Sequence, residues 1–344
     1  MKDPSASPIL SVVVPTLGRP SLARTVESLE HQALRDRMEV LVVGRVGDGE
    51  TTRFLQEAMA RSPFIRHIPV AYSTGDASRK KNDGWRAARA PIVAFLDDDA
   101  AAPPEWAGRI LEPFDEAEVR VVSGPGRVPD EAPPLARLAG LALASRAAGY
   151  VAERYRGSSE RPRPAVWSRI IGCNMAWRRS ALEEIGGFEP AFWPGEEMLA
   201  AWRVVGRRAE RMRFHPGAGV FHDPRPSLTG FLRQVAGYGA TRIRLLRAGV
   251  ALEWPPLAPA AGYPLIATLL ATSGVWRGTA PMLGALGIAY GGFVAAAAVE
   301  TALATRRRSD VAVALLIPLM HLAYGWGSWR EILRPNRDLS VKTA

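Results

Sequence analysis

Ile92-Val93-Ala94-Phe95-Leu96-Asp97-Asp98-Asp99 is the stretch on which the reading of this chain turns. An apolar run led by Pro91 and ended by charge predicts a short buried strand. Three carboxylates at its carboxyl end repel one another, which raises their pKa values unless a cation or hydrogen-bond donors face them. The carboxyl edge of a parallel sheet is also where α/β folds bind ligands. A hard divalent ion carrying a phosphorylated ligand suits such a turn. The plainer alternative is an acidic turn capping a helix that starts near Pro104-Glu105-Trp106.

Working outward, Leu10–Val14 is a second apolar strand, followed by the loop Pro15-Thr16-Leu17-Gly18-Arg19-Pro20. Ser21–Gln32 predicts a helix, with Ser21 as N-cap and Leu22, Val26 and Leu29 on one face. Glu39–Val43 reads as a strand, Thr51–Arg61 as a helix, and Asn82–Ala90 as a helix leading into the strand before the aspartates. Strands alternating with helices predict an α/β fold with a largely parallel sheet covered on both faces. Farther on, Arg127–Pro134 is turn-rich, Leu135–Ala148 is an apolar helix suited to a membrane surface, and Gly157–Pro164 is a polar loop.

Composition narrows the class. One cysteine, Cys173, in 344 residues excludes an intrachain disulfide and fits a reducing compartment. The start, Met1-Lys2-Asp3-Pro4-Ser5, lacks a signal-like apolar stretch, so the N-terminal part is expected to face the cytoplasm. A formal charge of +10 suits anionic lipid head groups or phosphorylated substrates. No zinc-ligand pattern or aromatic-basic platform accompanies it, so nucleic acid is not an expected partner.

The last third changes character. Residues 254–276, 278–299 and 311–329 carry no Asp, Glu, Lys or Arg. Each window is close to the roughly 20 residues that cross a hydrocarbon core. Trp254, Trp276, Trp326 and Trp329 lie at or near their ends, as an interfacial belt would place them. Attachment to the cell membrane is expected. Arg306-Arg307-Arg308 favours the cytoplasmic side, whereas Arg330, Arg334, Arg337 and Lys342 oppose a third full crossing, which leaves that window re-entrant or interfacial.

Taken in order, the motifs resemble a family. Ser11-Val12-Val13-Val14-Pro15-Thr16, Asn82-Asp83-Gly84, Phe95-Leu96-Asp97-Asp98-Asp99, Gly172-Cys173-Asn174-Met175-Ala176-Trp177, Gly186-Gly187-Phe188, Pro194-Gly195-Glu196-Glu197 and Val220-Phe221-His222 are similar to inverting family 2 glycosyltransferases of GT-A fold. The apolar C-terminus resembles bacterial members that build surface polysaccharides on lipid carriers. The resemblance implies a Rossmann-like GT-A domain over residues 1–240 and a membrane-associated helical region over 241–344.

It also implies roles. Asp97 and Asp99 form the DXD pair holding Mn²⁺ or Mg²⁺, with His222 completing the metal site and Asp97 or Asp98 reaching the ribose or a metal-bound water. Pro15, Thr16, Arg19, Asp48, Lys81 and Asn82 fall on the nucleotide-sugar side, while Asn174, Trp177 and Trp193 fall in the sugar and acceptor pocket. The family's catalytic base comes from an acidic pair at a helix start. Glu197 stands in its place here, with Glu196 as the other candidate. Relatives commonly read the base with an aspartate directly after the second strand, where this chain has Gly44, with Asp48 four residues on. A UDP-sugar donor and a lipid-linked or glycan acceptor are implied by analogy. Arg233-Gln234-Val235-Ala236-Gly237 does not fit the Gln-x-x-Arg-Trp pattern of processive synthases. The alternatives are a polyprenyl-phosphate sugar synthase, a non-catalytic membrane scaffold, and an Asp-x-Asp phosphohydrolase, the last lacking a lysine downstream of the aspartates in the body of the chain.

Overall fold

The computed structural model describes residues 7–47, 49–72, 76–158, 160–251, 257–276 and 278–334, which form two compact units. One comprises the chain up to Arg127 together with Arg156–Asp223; the other comprises Val128–Tyr155 and the chain from Pro224 onward.

The first unit opens with β1 (Leu10–Thr16), α1 (Ser21–Glu30), β2 (Met38–Gly44), α2 (Glu50–Arg61), β3 (Ile65–Ile68), α3 (Ala77–Ala87) and β4 (Ile92–Leu96). Strands β3, β2, β1 and β4 pair in parallel in that order. Nearly every residue of β1, β2 and β4 is buried, as expected of parallel strands covered on both faces. Helix α1 buries Leu22, Val26 and Leu29, although Ser21 is its first helical residue and not its cap. Helix α3 starts before Asn82, at Ala77, which carries Lys80 and Lys81 into the interior. It can lie this close to β1 because residue 84 is glycine: a Cβ there would fall 2.3 Å from Val13 Cγ1.

The chain continues through β5 (Ala100–Ala101), α4 (Trp106–Leu111), β6 (Val121–Ser123) and β7 (Gly126–Arg127), then α5 (Pro134–Ala144) of the second unit. It returns with β8 (Arg163–Pro164), β9 (Asn174–Arg178), α6 (Arg179–Ile185), α7 (Glu196–Val205), β10 (Met212–Phe214) and β11 (Val220–His222). The main sheet has the order β3-β2-β1-β4-β9-β6-β10-β8, and β9 runs antiparallel to both β4 and β6. It is therefore more mixed than the sequence predicts. An apolar run buries the same side chains in either direction, so strand polarity beyond β4 leaves no mark in composition. Phe188 packs edge-to-face on Phe95 and Trp177, at centroid distances of 5.1 and 5.7 Å. A second sheet, β5-β11-β7, lies beyond the end of β4 in sequence and sets His222 opposite Ala100.

The second unit adds α8 (Leu228–Arg247), α9 (Ala258–Thr272), α10 (Thr279–Thr305) and α11 (Val313–Ile332) to α5 and a 3₁₀ stretch, Arg146–Tyr155. Residue 240, the boundary expected from sequence, falls inside the continuous α8. Two segments, Thr279–Thr305 and Arg308–Ile332, are long and apolar enough to cross a membrane. The first predicted window yields only the 15-residue α9, about 22 Å long and short of a full crossing. Trp254, Arg337 and Lys342 lie outside the described residues. Arg137 of α5 donates a fork of hydrogen bonds to Asp310, one of them 2.8 Å, tying α5 to the turn before α11.

Candidate active site

The aspartates form a turn directly after β4, closed by the Ala100 N–H donating to the Asp97 carbonyl at 3.1 Å. Antiparallel pairing of β5 with β11 brings His222 to the same turn. His222 Nε2 lies 3.0 Å from Asp99 Oδ1 and 3.9 Å from Asp97 Oδ2. One ligand atom from each of the three lies within 4.8 Å of the others, the single cluster of this kind among the described residues. Two carboxylates and one imidazole make an N/O donor set suited to a hard or borderline divalent ion. Asp99 and His222 are sheltered, whereas the Asp97 side chain is 40% exposed. Desolvation pushes the Asp97 carboxyl above the ordinary carboxylate range, and Asp99 and Asp98 add to that against the pull of Lys81 and His222. A cation at the cluster would relieve the cost.

The middle aspartate does something else. Asp98 is buried, and its Oδ2 accepts from Thr16 Oγ1 at 2.7 Å and from the Leu17 N–H at 3.1 Å. Thr16 Oγ1 in turn accepts from the Gly18 N–H at 2.9 Å. Lys80 donates to the Thr16 carbonyl at 2.7 Å; burial lowers its pKa while Asp98 and Asp76 oppose that. The loop after β1 is thus tied to the aspartate turn from inside. Arg24, on α1, donates to the Asp99 carbonyl at 3.0 Å and lies 2.8 Å from Asp223, while the Asp223 N–H reaches the same carbonyl. Arg19 Nη1 is 3.8 Å from Asp99 Oδ2. Gly44 has φ +155°, and a Cβ there would meet the Thr16 carbonyl oxygen at 2.2 Å. The backbone itself excludes a side chain at that position. Asp48 lies outside the described residues.

The two glutamates also divide. Both stand in the first turn of α7, where the helix dipole favours acid. Glu196 is buried, accepts from Lys81 Nζ at 2.8 Å through Oε1, and accepts from the Gly195 N–H at 3.1 Å through Oε2. Burial works against the Lys81 charge, but Glu196, Asp97 and Glu197 outweigh it and hold the ammonium above its ordinary pKa. Glu197 is only half-buried. A Cβ on Gly172 would lie 3.5 Å from Lys81 Nζ and 3.8 Å from Glu197 Cδ, which puts both beside the Gly-Cys-Asn motif.

Several residues expected at the ligand are instead spent inside the fold. Lys81 and Glu196 neutralise each other out of solvent. Asn82 is buried, donates to the Phe188 carbonyl at 2.7 Å, and accepts from the Phe188 N–H at 2.8 Å, clamping the Gly186-Gly187 turn. Asn174 is fully buried, donates to the carbonyls of Ala218 and Pro125, and accepts from Trp106 Nε1 at 2.9 Å. Trp177 is fully buried against Phe188, so it is core and does not wall an open pocket. Trp193 is exposed, and Pro15 is half-buried at the end of β1. Cys173 is buried, its thiol pushed well up by burial and by Asp97 and Asp99, which keeps it a neutral packing group. Arg24 and Gly172 gained no site role from the sequence. Arg24 belongs to no motif, and Gly172 stood inside a motif without a purpose of its own.

A parallel β3-β2-β1-β4 run ending in an Asp-x-Asp turn, with a histidine brought to that turn by a small second sheet, is the layout of a GT-A domain. Residues 11–186, half of the chain, match Glycosyl transferase family 2, and the protein belongs to that family. It is 28% identical over 180 residues to the pre-mycofactocin glycosyltransferase of Mycobacterium tuberculosis, covering 52% of this chain and 36% of that one. It is 33% identical over 108 residues to validoxylamine A glucosyltransferase of Streptomyces hygroscopicus subsp. limoneus, covering 30% of this chain and 23% of that one. The chain thus spans about a third or less of each curated relative. Among solved structures, the mannosyltransferase PcManGT of Pyrobaculum calidifontis, in complex with GDP-Man and Mn²⁺, superposes with a TM-score of 0.61 at 18% identity. That match covers 96% of this chain and 89% of the other, a likeness of fold.

Proposed function

We propose that the protein transfers a sugar, with inversion, from a nucleotide-diphosphate sugar to a lipid-linked or other membrane-proximal acceptor. The observation that carries this is the convergence of Asp97, Asp99 and His222 at the carboxyl edge of the sheet, beside the β1 loop. Mn²⁺ or Mg²⁺ held by those three would offset the charge of the departing nucleoside diphosphate. Asp98, Thr16 and Lys80 keep the β1 loop against that turn, so Pro15 and Arg19 face the donor from a fixed backbone. We assign the donor as a UDP-sugar, its base read by backbone groups around Gly44 because no side chain fits there.

Glu197 is the proposed general base, taking a proton from the acceptor hydroxyl as it attacks the anomeric carbon. Glu196 and Lys81 hold the start of α7, so the longer glutamate arm works from a braced position. Trp193 offers an exposed ring for sugar stacking. The apolar pair of C-terminal segments supports action at the cell membrane, with the sheet unit on the cytoplasmic side where nucleotide sugars are made. The test is a screen of UDP- and GDP-sugars for Mn²⁺-dependent thermal stabilisation of the full chain. One UDP-sugar should raise the melting temperature only with metal; stabilisation by none would end the proposal, and by GDP-mannose alone would end the donor assignment.

A further inference from the structure

The helical unit encloses a cavity of about 630 Å³ that no step above uses. It is too large for a packing gap in an interior filled like an organic crystal, and it falls within the roughly 300–1,000 Å³ range of ligand sites. Most of its polar side chains are turned on one another or on backbone carbonyls. His321 Nε2 lies 2.7 Å from the Ala147 carbonyl, which only accepts, so that nitrogen carries the proton and Nδ1 accepts from Tyr290 O–H at 2.9 Å. Tyr238 O–H is engaged by Tyr155 at 2.7 Å and by Gln234 at 2.9 Å, Tyr263 O–H donates to the Leu322 carbonyl, and Arg146 pairs with Glu300. Apart from the hydroxyls of Tyr150 and Tyr324, what remains for an occupant is mainly methyl groups and ring faces, from Leu143, Val235, Met320 and their neighbours. Water needs several polar partners to stay in such a space, so the walls select hydrocarbon.

The mouth identifies the source. Ile266, Phe293 and Leu322 line the cavity and are also among the exposed large apolar side chains of the unit. They belong to the same apolar exterior as Leu265, Leu270 and Ile288 on α9 and α10. The cavity therefore opens through the surface that would face lipid. We infer that it receives, sideways from the bilayer, the isoprenoid tail of a polyprenyl-phosphate-linked acceptor. That choice of tail rests on the lipid-linked acceptor proposed above.

Gly262 supplies the test. It lines the cavity on α9, and an added Cβ meets nothing within 4 Å, so Gly262→Phe starts from open space and puts a ring where the occupant would lie, and phenylalanine is a better helix former than glycine. The full chain in nanodiscs is irradiated with a polyprenyl phosphate bearing a diazirine in its tail, or with a phosphatidylglycerol bearing one in an acyl chain. The wild type should be labelled by the polyprenyl probe at cavity residues, and Gly262→Phe should cut that labelling by about tenfold or more. Metal-dependent stabilisation by the sugar nucleotide should be the same in both proteins. Absent labelling, or labelling that Gly262→Phe leaves intact, overturns the cavity assignment while donor stabilisation persists. Equal labelling by phosphatidylglycerol overturns the polyprenyl assignment. Loss of donor stabilisation in the wild type counts against the transferase reading instead.

Discussion

The aspartate turn after β4 and the glutamate pair opening α7 solve one problem in the same way. Each puts acids side by side, and each commits one of them to the fold. Asp98 is buried under Thr16 and Leu17, while Asp97 and Asp99 converge on His222. Glu196 is buried against Lys81, while Glu197 stays half-exposed. They differ in what opposes the anchoring charge. Asp98 is bonded by a hydroxyl and an amide with the Lys80 ammonium only nearby, whereas Glu196 bonds an ammonium directly, and that ammonium also lends its charge to Asp97 and Glu197. Adjacent identical residues are therefore not redundant: one sets the backbone, and on the proposed function the other meets the ligand.

The contrast breaks most sharply at Asp99. Asp99→Ala should cost about 10³-fold or more in turnover and abolish Mn²⁺ binding by calorimetry, with an unchanged far-ultraviolet circular dichroism spectrum. Near-normal activity would remove Asp99 from the metal set. Glu197→Gln should lower kcat by about 10²–10⁴-fold while the Kd for the donor holds; parallel loss of both would make Glu197 another anchor. Lys81→Met should show its effect in stability, costing about 3–5 kcal/mol in denaturant unfolding because Glu196 is left charged and buried. The double variant Lys81→Met, Glu196→Leu should recover much of that, and failure to recover would mean the pair does more than neutralise itself.

The smallest effect lies at the opposite, amino-terminal edge of the sheet. Glu39 is buried, and although burial alone raises its pKa, bonds from Ser11, Arg89 and Arg66 bring it below the ordinary value. A folded pKa below the unfolded one gives stability that is full above the unfolded value of about 4.3 and is lost as pH falls through the folded value. The melting temperature should therefore drop on acidification below about pH 5, and Glu39→Gln should flatten that limb while leaving the pH profile of turnover unmoved. A matching shift in turnover would join an edge that we place outside the site to the chemistry.

Much of this was legible in sequence where burial and chemistry coincide. The run Ile92–Leu96 could only be an interior strand, and acids after it had to stand at a sheet edge. The family resemblance named Asp97, Asp99 and His222 together, and the structure brings them together. Legibility failed where a polar residue serves the backbone. Lys81, Asn82 and Asn174 look like ligand contacts, yet each fills its hydrogen bonds inside the protein, and no pattern distinguishes an outward amide from an inward one. The start of α3 was missed because Lys80 and Lys81 are charged, and only partners distant in sequence, Thr16 and Glu196, make their burial tolerable. The division of units was hidden for a topological reason: Val128–Tyr155 belongs with helices that come almost a hundred residues later.

The short pairing of β11 with β5 has a consequence for how the protein is born. Asp97 and Asp99 leave the ribosome early, but His222 can reach them only after the intervening strands, from β6 to β10, have emerged. No ribosome-held fragment ending before β11 can own the three-ligand set, and a ligand set assembled last reports on everything assembled before it. Tight metal uptake would mark the moment a newly made copy of the sheet unit is complete.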